Sequence, residues 1–163
     1  KSYEVGSIAQ TGIGQSSILA TPMQMALVSS TIANNGNMVE PTLVNKVIDK
    51  DGNLVKNITT KVNKEVISSS NASIIKEYMK NLVDSKVDSS WSYFQGTNAA
   101  GKTGTADYIL PNGQNAVPHS WFIGFAPYDN PEIAVAVIVE NGGYGSVAAA
   151  GVAGQVIRNQ VFR

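Results

Sequence analysis

The chain contains no cysteine and a single histidine, His119. Disulfides and thiolate metal sites are therefore excluded, and so is a metal site built from several histidines. Lack of cysteine permits an oxidising compartment without requiring one. Charge is also sparse: 15% of the 163 residues are charged, and 12 basic side chains cancel 12 acidic ones. With no basic stripe, a nucleic-acid partner finds no electrostatic footprint. No apolar run is long enough to span a bilayer, and the N-terminus carries no signal-peptide pattern. The chain opens on Lys1-Ser2-Tyr3-Glu4-Val5 without an initiator methionine, which is compatible with a piece of something longer. What remains is 43% hydrophobic, the composition of one globular domain. A chain of this length buries roughly two-thirds of its unfolded surface.

Local signals predict the elements. Thr21-Pro22-Met23-Gln24 reads as a helix start, with Thr21 as cap, Pro22 in the first turn and Gln24 closing a capping box. That helix is expected to run through Met25, Ala26, Val28 and Ile32 and to stop at Asn34-Asn35-Gly36. Residues 43–48 and 54–58 flank Asp51-Gly52 and predict a hairpin. Ile75, Met79, Leu82 and Val83 share a helical face within residues 71–83, and residues 85–97 read as a loop. Residues 99–108, 120–126 and 133–139 read as strands joined by turns at 111–113 and 127–131. The short connections make them antiparallel. Residues 133–139 are nearly continuously apolar and are expected to form a central strand covered on both faces. A last helix is expected over about 147–160. The fold class is therefore α+β, an antiparallel sheet packed against helices.

Residues 101–105, Gly-Lys-Thr-Gly-Thr, carry the chemistry, and they support two readings. With Gly96 they spell G-x-x-x-x-G-K-T, a phosphate loop, over residues 96–103. That reading requires a buried strand running into Gly96 and a helix opening at Lys102. The residues before Gly96 are polar and aromatic, and Gly104 follows at once, so no parallel βαβ unit fits. On a strand, Lys102 and Gly104 point one way and Thr103 and Thr105 the other. Gly104 then lets a ligand backbone approach, and an extended peptide can pair with the edge. Lys102 supplies positive potential, the threonine hydroxyls suit a carboxylate, and a strand N–H suits an oxyanion. A peptide with a free C-terminal carboxylate is the natural ligand.

Five stretches in order now carry a resemblance. They are Ile13-Gly14-Gln15 with residues 20–26, Thr31-Ile32-Ala33-Asn34-Asn35-Gly36, residues 100–106, residues 120–127, and the glycines at 142–145 leading into the last helix. Together they are similar to the C-terminal portion of a penicillin-binding protein transpeptidase domain of the class B type. The resemblance implies a serine D,D-transpeptidase that cross-links peptidoglycan stem peptides through an acyl-enzyme and is acylated by β-lactams. It implies Lys102 as the catalytic sheet-edge lysine, and Thr103, Gly104 and Thr105 as substrate-binding residues. The Thr105 backbone N–H would be an oxyanion donor. No cofactor and no metal are implied. Of the family's three motifs, Ser-x-x-Lys, Ser-x-Asn and Lys-Thr-Gly, only the third is in place. Ser73-Ile74-Ile75-Lys76 and Ser69-Ser70-Asn71 match the first two in letters, but in reversed order and at the wrong place. The front half with the nucleophile is therefore expected to lie outside residues 1–163, either lost or on a separate chain. The resemblance also implies the outer face of the bacterial cytoplasmic membrane, through an anchor outside this chain. A homologue that binds peptide without catalysis is the remaining alternative, discriminated by the sequence upstream.

Other residues have plainer readings. His119 is expected to be a hydrogen-bonding residue at a strand start, and Trp121, Phe122 and Phe125 to be core, with Trp121 at the cleft. Met23, Met25 and Met79 read as core fillers. Gly142, Gly143 and Gly145 read as a flexible turn without the context for dinucleotide binding. Asp107 reads equally as a solvated partner of the lysine or as a catalytic group.

Overall fold

The computed structural model describes residues 5–163. Twelve-residue helix α2 (Pro22–Ala33) starts as its sequence dictates: the Thr21 hydroxyl accepts from the Gln24 N–H, and the Gln24 side chain accepts from the Thr21 N–H at 2.8 Å. It ends where Asn35 and Gly36 take positive φ of 53° and 90°. A short helix α1 (Val5–Thr11), not anticipated from the sequence, precedes it and buries none of its residues.

After α2 the chain makes two small antiparallel ladders. Strands β1 (Asn37–Val39) and β4 (Val62–Glu65) pair with each other, and β2 (Lys46–Ile48) and β3 (Leu54–Asn57) form the hairpin between them. The hairpin turns at Gly52 (φ 87°), and the Asp49 carboxylate accepts from the Asp51 and Asn53 N–H groups. Hydrogen bonds from the Asn53 side chain and backbone hold the Asp49 carboxyl below the ordinary aspartate range. The β1–β4 pair escaped the sequence reading because three- and four-residue strands leave almost no alternation to detect.

Helix α3 (Ser69–Val87), capped by Ser68, runs four residues beyond the predicted 71–83. Residues 85–97 are thus not one loop. They hold the last turn of α3 and a 3-10 turn (Ser92–Phe94) that buries Trp91 and Phe94 completely. These rings meet Phe122 at centroid distances of 6.0 and 5.4 Å, and the Trp91 indole donates to the Ser146 carbonyl at 2.9 Å.

The main sheet has strand order β5 (Ala100–Ala106), β6 (His119–Ala126), β7 (Ile133–Val139), antiparallel throughout. Alternation along β6 divides the core. Phe122 and Ala126 face one cluster, with Trp91, Phe94 and helix α4 (Ala148–Val161); Phe125 faces the other, with Ile32, Ala33 and Met79. The central strand is therefore β6, and β7 is an edge among the described residues, contrary to expectation. The expected cover on both faces is present: α2 and α4 pack on β7 from the two sides of the sheet. Cover over a strand's faces and pairing along its edges are independent, and composition reports only the first. Met79 is core at 4% exposure, but Met23 is 55% exposed and Met25 faces the cleft described below, because the first turn of α2 overhangs the sheet.

Candidate functional site

Strand β5 is the other edge of the sheet among the described residues, with β6 on one side and a cleft of about 460 Å³ against it. The register pairs Lys102 with Ile123, Thr103 with Phe122, Gly104 with Trp121 and Thr105 with Ser120. Lys102 and Gly104 therefore share the face of Ile123 and Trp121 and the threonines start towards the opposite face, but at this outer edge all four residues line the cleft. Lys102 is exposed, and its Nζ donates to the Thr103 carbonyl at 2.6 Å. Among the described residues it makes no ion pair; Asp107 makes none either.

The backbone directions along β5 follow from one bond. Gln15 Nε2 donates to the Thr105 carbonyl at 2.8 Å, so that carbonyl points away from β6. In an antiparallel strand a residue's N–H and C=O leave by the same edge. The Thr105 N–H therefore also points outward, and the same alternation turns Thr103 outward. Ile13, Ile18 and Leu19 stand across from this edge as an apolar wall, with Trp121 and His119 on the sheet side. Sequence reasoning identified the stretch Ile13-Gly14-Gln15 without assigning it a place; here it forms a wall of the cleft.

The far face of β5 is supported from behind. The Thr105 hydroxyl accepts from the Gly145 N–H at 3.4 Å, which leaves its proton free to donate to an anion. The Ser120 hydroxyl accepts from the Ala149 N–H and donates to the Tyr144 carbonyl, tying β6 to the start of α4. Gly145 lies so close that a Cβ there would sit 2.3 Å from the Gly104 carbonyl oxygen and 2.6 Å from that of Trp121. The glycine stretch is thus a packing surface against the Lys-Thr-Gly strand, more than the flexible turn its composition suggested. Gly145→Ala is expected to push α4 off the strand, at about 1–3 kcal/mol of stability. Denaturant unfolding measures this, and a change below about 0.5 kcal/mol would show that the contact yields without cost.

His119 behaves as expected. Its Nδ1 accepts from the Asn141 N–H at 3.1 Å, and its ring stacks on Tyr108 at 4.6 Å. The phosphate-loop reading fails on its own criterion, because Lys102 lies within a strand and Thr97, inside the would-be loop, is buried and bonded to the Phe94 carbonyl. Ser73 and Lys76 do not line the cleft. The Ser73 hydroxyl donates to the Ser69 carbonyl one turn back, and Lys76 donates to the Ala33 carbonyl over the rings of Phe125 and Tyr128. Among the described residues no group of three or more histidine, aspartate or glutamate side chains is placed to hold a metal.

The profile of the family described as the penicillin binding protein transpeptidase domain matches residues 1–159. The chain belongs to that family. The peptidoglycan D,D-transpeptidase PbpA of Mycolicibacterium smegmatis is 33% identical over 140 residues, 86% of this chain and 28% of that protein. The peptidoglycan D,D-transpeptidase MrdA of Haemophilus influenzae is 31% identical, over 93% of this chain and 25% of that protein. Among solved structures, the ceftriaxone acyl-enzyme complex of penicillin-binding protein A from M. tuberculosis superposes with a TM-score of 0.81 at 30% identity. That match covers 94% of this chain and 35% of the other. Penicillin-binding protein 2B from Streptococcus pneumoniae superposes at 0.75, with 28% identity, 99% of this chain covered and 27% of the other. The chain spans between a quarter and three-tenths of these curated relatives.

Proposed function

We propose that residues 1–163 are the C-terminal portion of one transpeptidase domain, and supply the substrate-binding strand of a serine D,D-transpeptidase that cross-links peptidoglycan stem peptides. The observation that carries this reading is the outward edge of β5, where Lys102 and the Thr105 N–H and C=O all front one cleft. In this reading a donor peptide lies along that edge. A serine hydroxyl outside this chain attacks the penultimate carbonyl; an ester forms, the peptide bond breaks, and the terminal residue leaves with the proton. The amine of a second stem peptide then attacks the ester, which restores the serine and completes the cross-link. Lys102 supplies positive potential and relays protons. The Thr103 and Thr105 hydroxyls bind the terminal carboxylate, Gly104 lets the peptide approach, and the Thr105 N–H receives the developing oxyanion. A β-lactam is a stem-peptide mimic that stops at the ester.

The reading also places the nucleophile on residues that precede this chain in the parent protein, and the parent at the outer face of the bacterial cytoplasmic membrane. Among the described residues no helix is long and apolar enough to cross a membrane. A fluorescent penicillin tests the proposal: the complete parent protein becomes covalently labelled, whereas the chain of residues 1–163 alone does not. Labelling of the isolated chain that disappears in Ser73→Ala would move the nucleophile to Ser73. An unlabelled parent would instead favour a homologue that binds peptide without catalysis.

A further inference from the structure

The edge that the proposed substrate must pair with is already occupied at one atom. An extended peptide added antiparallel to β5 exchanges two hydrogen bonds with an outward-facing residue, giving a carbonyl to its N–H and an N–H to its carbonyl. At Thr105 the second of these positions is filled by Gln15, whose side-chain amide donates to the carbonyl at 2.8 Å. A primary amide N–H is chemically the same donor as a peptide N–H. The loop is shaped for this contact: Gly14 and Ser16, on either side of Gln15, both take left-handed backbone, with φ of 76° and 64°. For serine that conformation is unfavourable, and the two left-handed residues flank the side chain that hydrogen-bonds to the strand. Neighbours Ile13 and Leu19 are 79% and 93% exposed, so the segment is not held in place by burial.

We infer that Gln15 is a resident stand-in for the substrate's amide: it caps the Thr105 carbonyl in the free enzyme and gives way when a ligand brings its own N–H. This deepens the transpeptidase reading and rests on it. Gln15 thereby sets a specificity. Ligands with an amide positioned to reach Thr105 must exchange against Gln15, whereas ligands without that amide leave the contact in place. In a variant without the donor, water replaces Gln15 on the carbonyl and is the weaker competitor.

The test measures second-order acylation rates of the complete transpeptidase by two penicillins, in competition with a fluorescent penicillin. Benzylpenicillin carries a side-chain amide; penicillanic acid has the same bicyclic core and no side chain. Gln15→Ala and the volume-conserving Gln15→Met are each expected to raise the ratio of the two rates about two- to tenfold, the worth of one net hydrogen bond. A purely structural role would change both rates by one factor and leave the ratio untouched, which would overturn the inference while keeping the transpeptidase reading. A fall in the ratio would likewise overturn it, showing that Gln15 assists amide-bearing ligands. If the unmodified enzyme reacts with neither compound, the transpeptidase reading fails, and this inference with it.

Discussion

Lys102→Ala in the complete transpeptidase is expected to slow acylation by a β-lactam about 30- to 150-fold and to leave stability almost unchanged. The side chain stands exposed at the mouth of the cleft, bonded to the neighbouring Thr103 carbonyl, and makes no ion pair among the described residues. For an exposed side chain, folding loses no more than the ~0.5 kcal/mol usual for a surface substitution. A substrate carboxylate bound at the adjacent threonines loses far more. A unit charge about 4 Å away contributes roughly 4 kcal/mol at an effective dielectric near 20. Solvent at the cleft mouth reduces that to roughly 2–3 kcal/mol, and every ~1.4 kcal/mol is tenfold in rate. Stopped-flow acylation alongside denaturant unfolding separates the two effects. Acylation within about threefold of the unsubstituted enzyme would make Lys102 a bystander.

Trp91→Ala is expected to have the largest effect on stability, about 3–5 kcal/mol. The indole is fully buried, contacts Phe94 and Phe122, and donates to the Ser146 carbonyl in the loop that leads into α4. Removing it opens a cavity between the sheet and α4 and leaves a carbonyl without its donor. Against a typical domain stability of ~5–15 kcal/mol, that is a large part of the whole. Trp121, partly buried at the cleft, provides the internal comparison, and its replacement by alanine is expected to cost clearly less. Urea unfolding of the two variants side by side measures this. An equal loss from both would contradict the placement of Trp91 in the core and of Trp121 at the cleft.

The two tryptophans also show where the sequence was legible and where it was not. Trp121 sits in a strand bounded by recognisable turns, and it was read with the core cluster as the member that lines the cleft. Trp91 sits among serines, in a stretch without helical or strand period, and passed for loop. Its burial comes from the sheet and α4, elements distant in sequence, and no local pattern encodes that. The capping box at Thr21 and the turn at Gly52 were legible because their signals are local and stereochemical. For β7 the cover on both faces was legible and its edge position among the described residues was not, because an apolar run reports the helices over a strand's faces and not how many strands lie beside it. Lys102, Thr103, Gly104 and Thr105 were found as a motif. What positions them was not found: Gly145 behind the strand and Gln15 in front of it, respectively 40 and 90 residues away from Thr105. Gly145 is needed for closeness and not for a turn, and a glycine in sequence does not declare which.

The most direct measurement is a structure of the complete enzyme acylated by a β-lactam. The acyl carbonyl oxygen is expected about 2.7–3.1 Å from the Thr105 nitrogen, the range of a working oxyanion donor. The antibiotic's carboxylate is expected against the Thr103 and Thr105 hydroxyls, with the Lys102 ammonium beside it. A carbonyl oxygen turned away from β5, or a Thr105 N–H found paired with β6, would contradict the claim that this strand edge is the site.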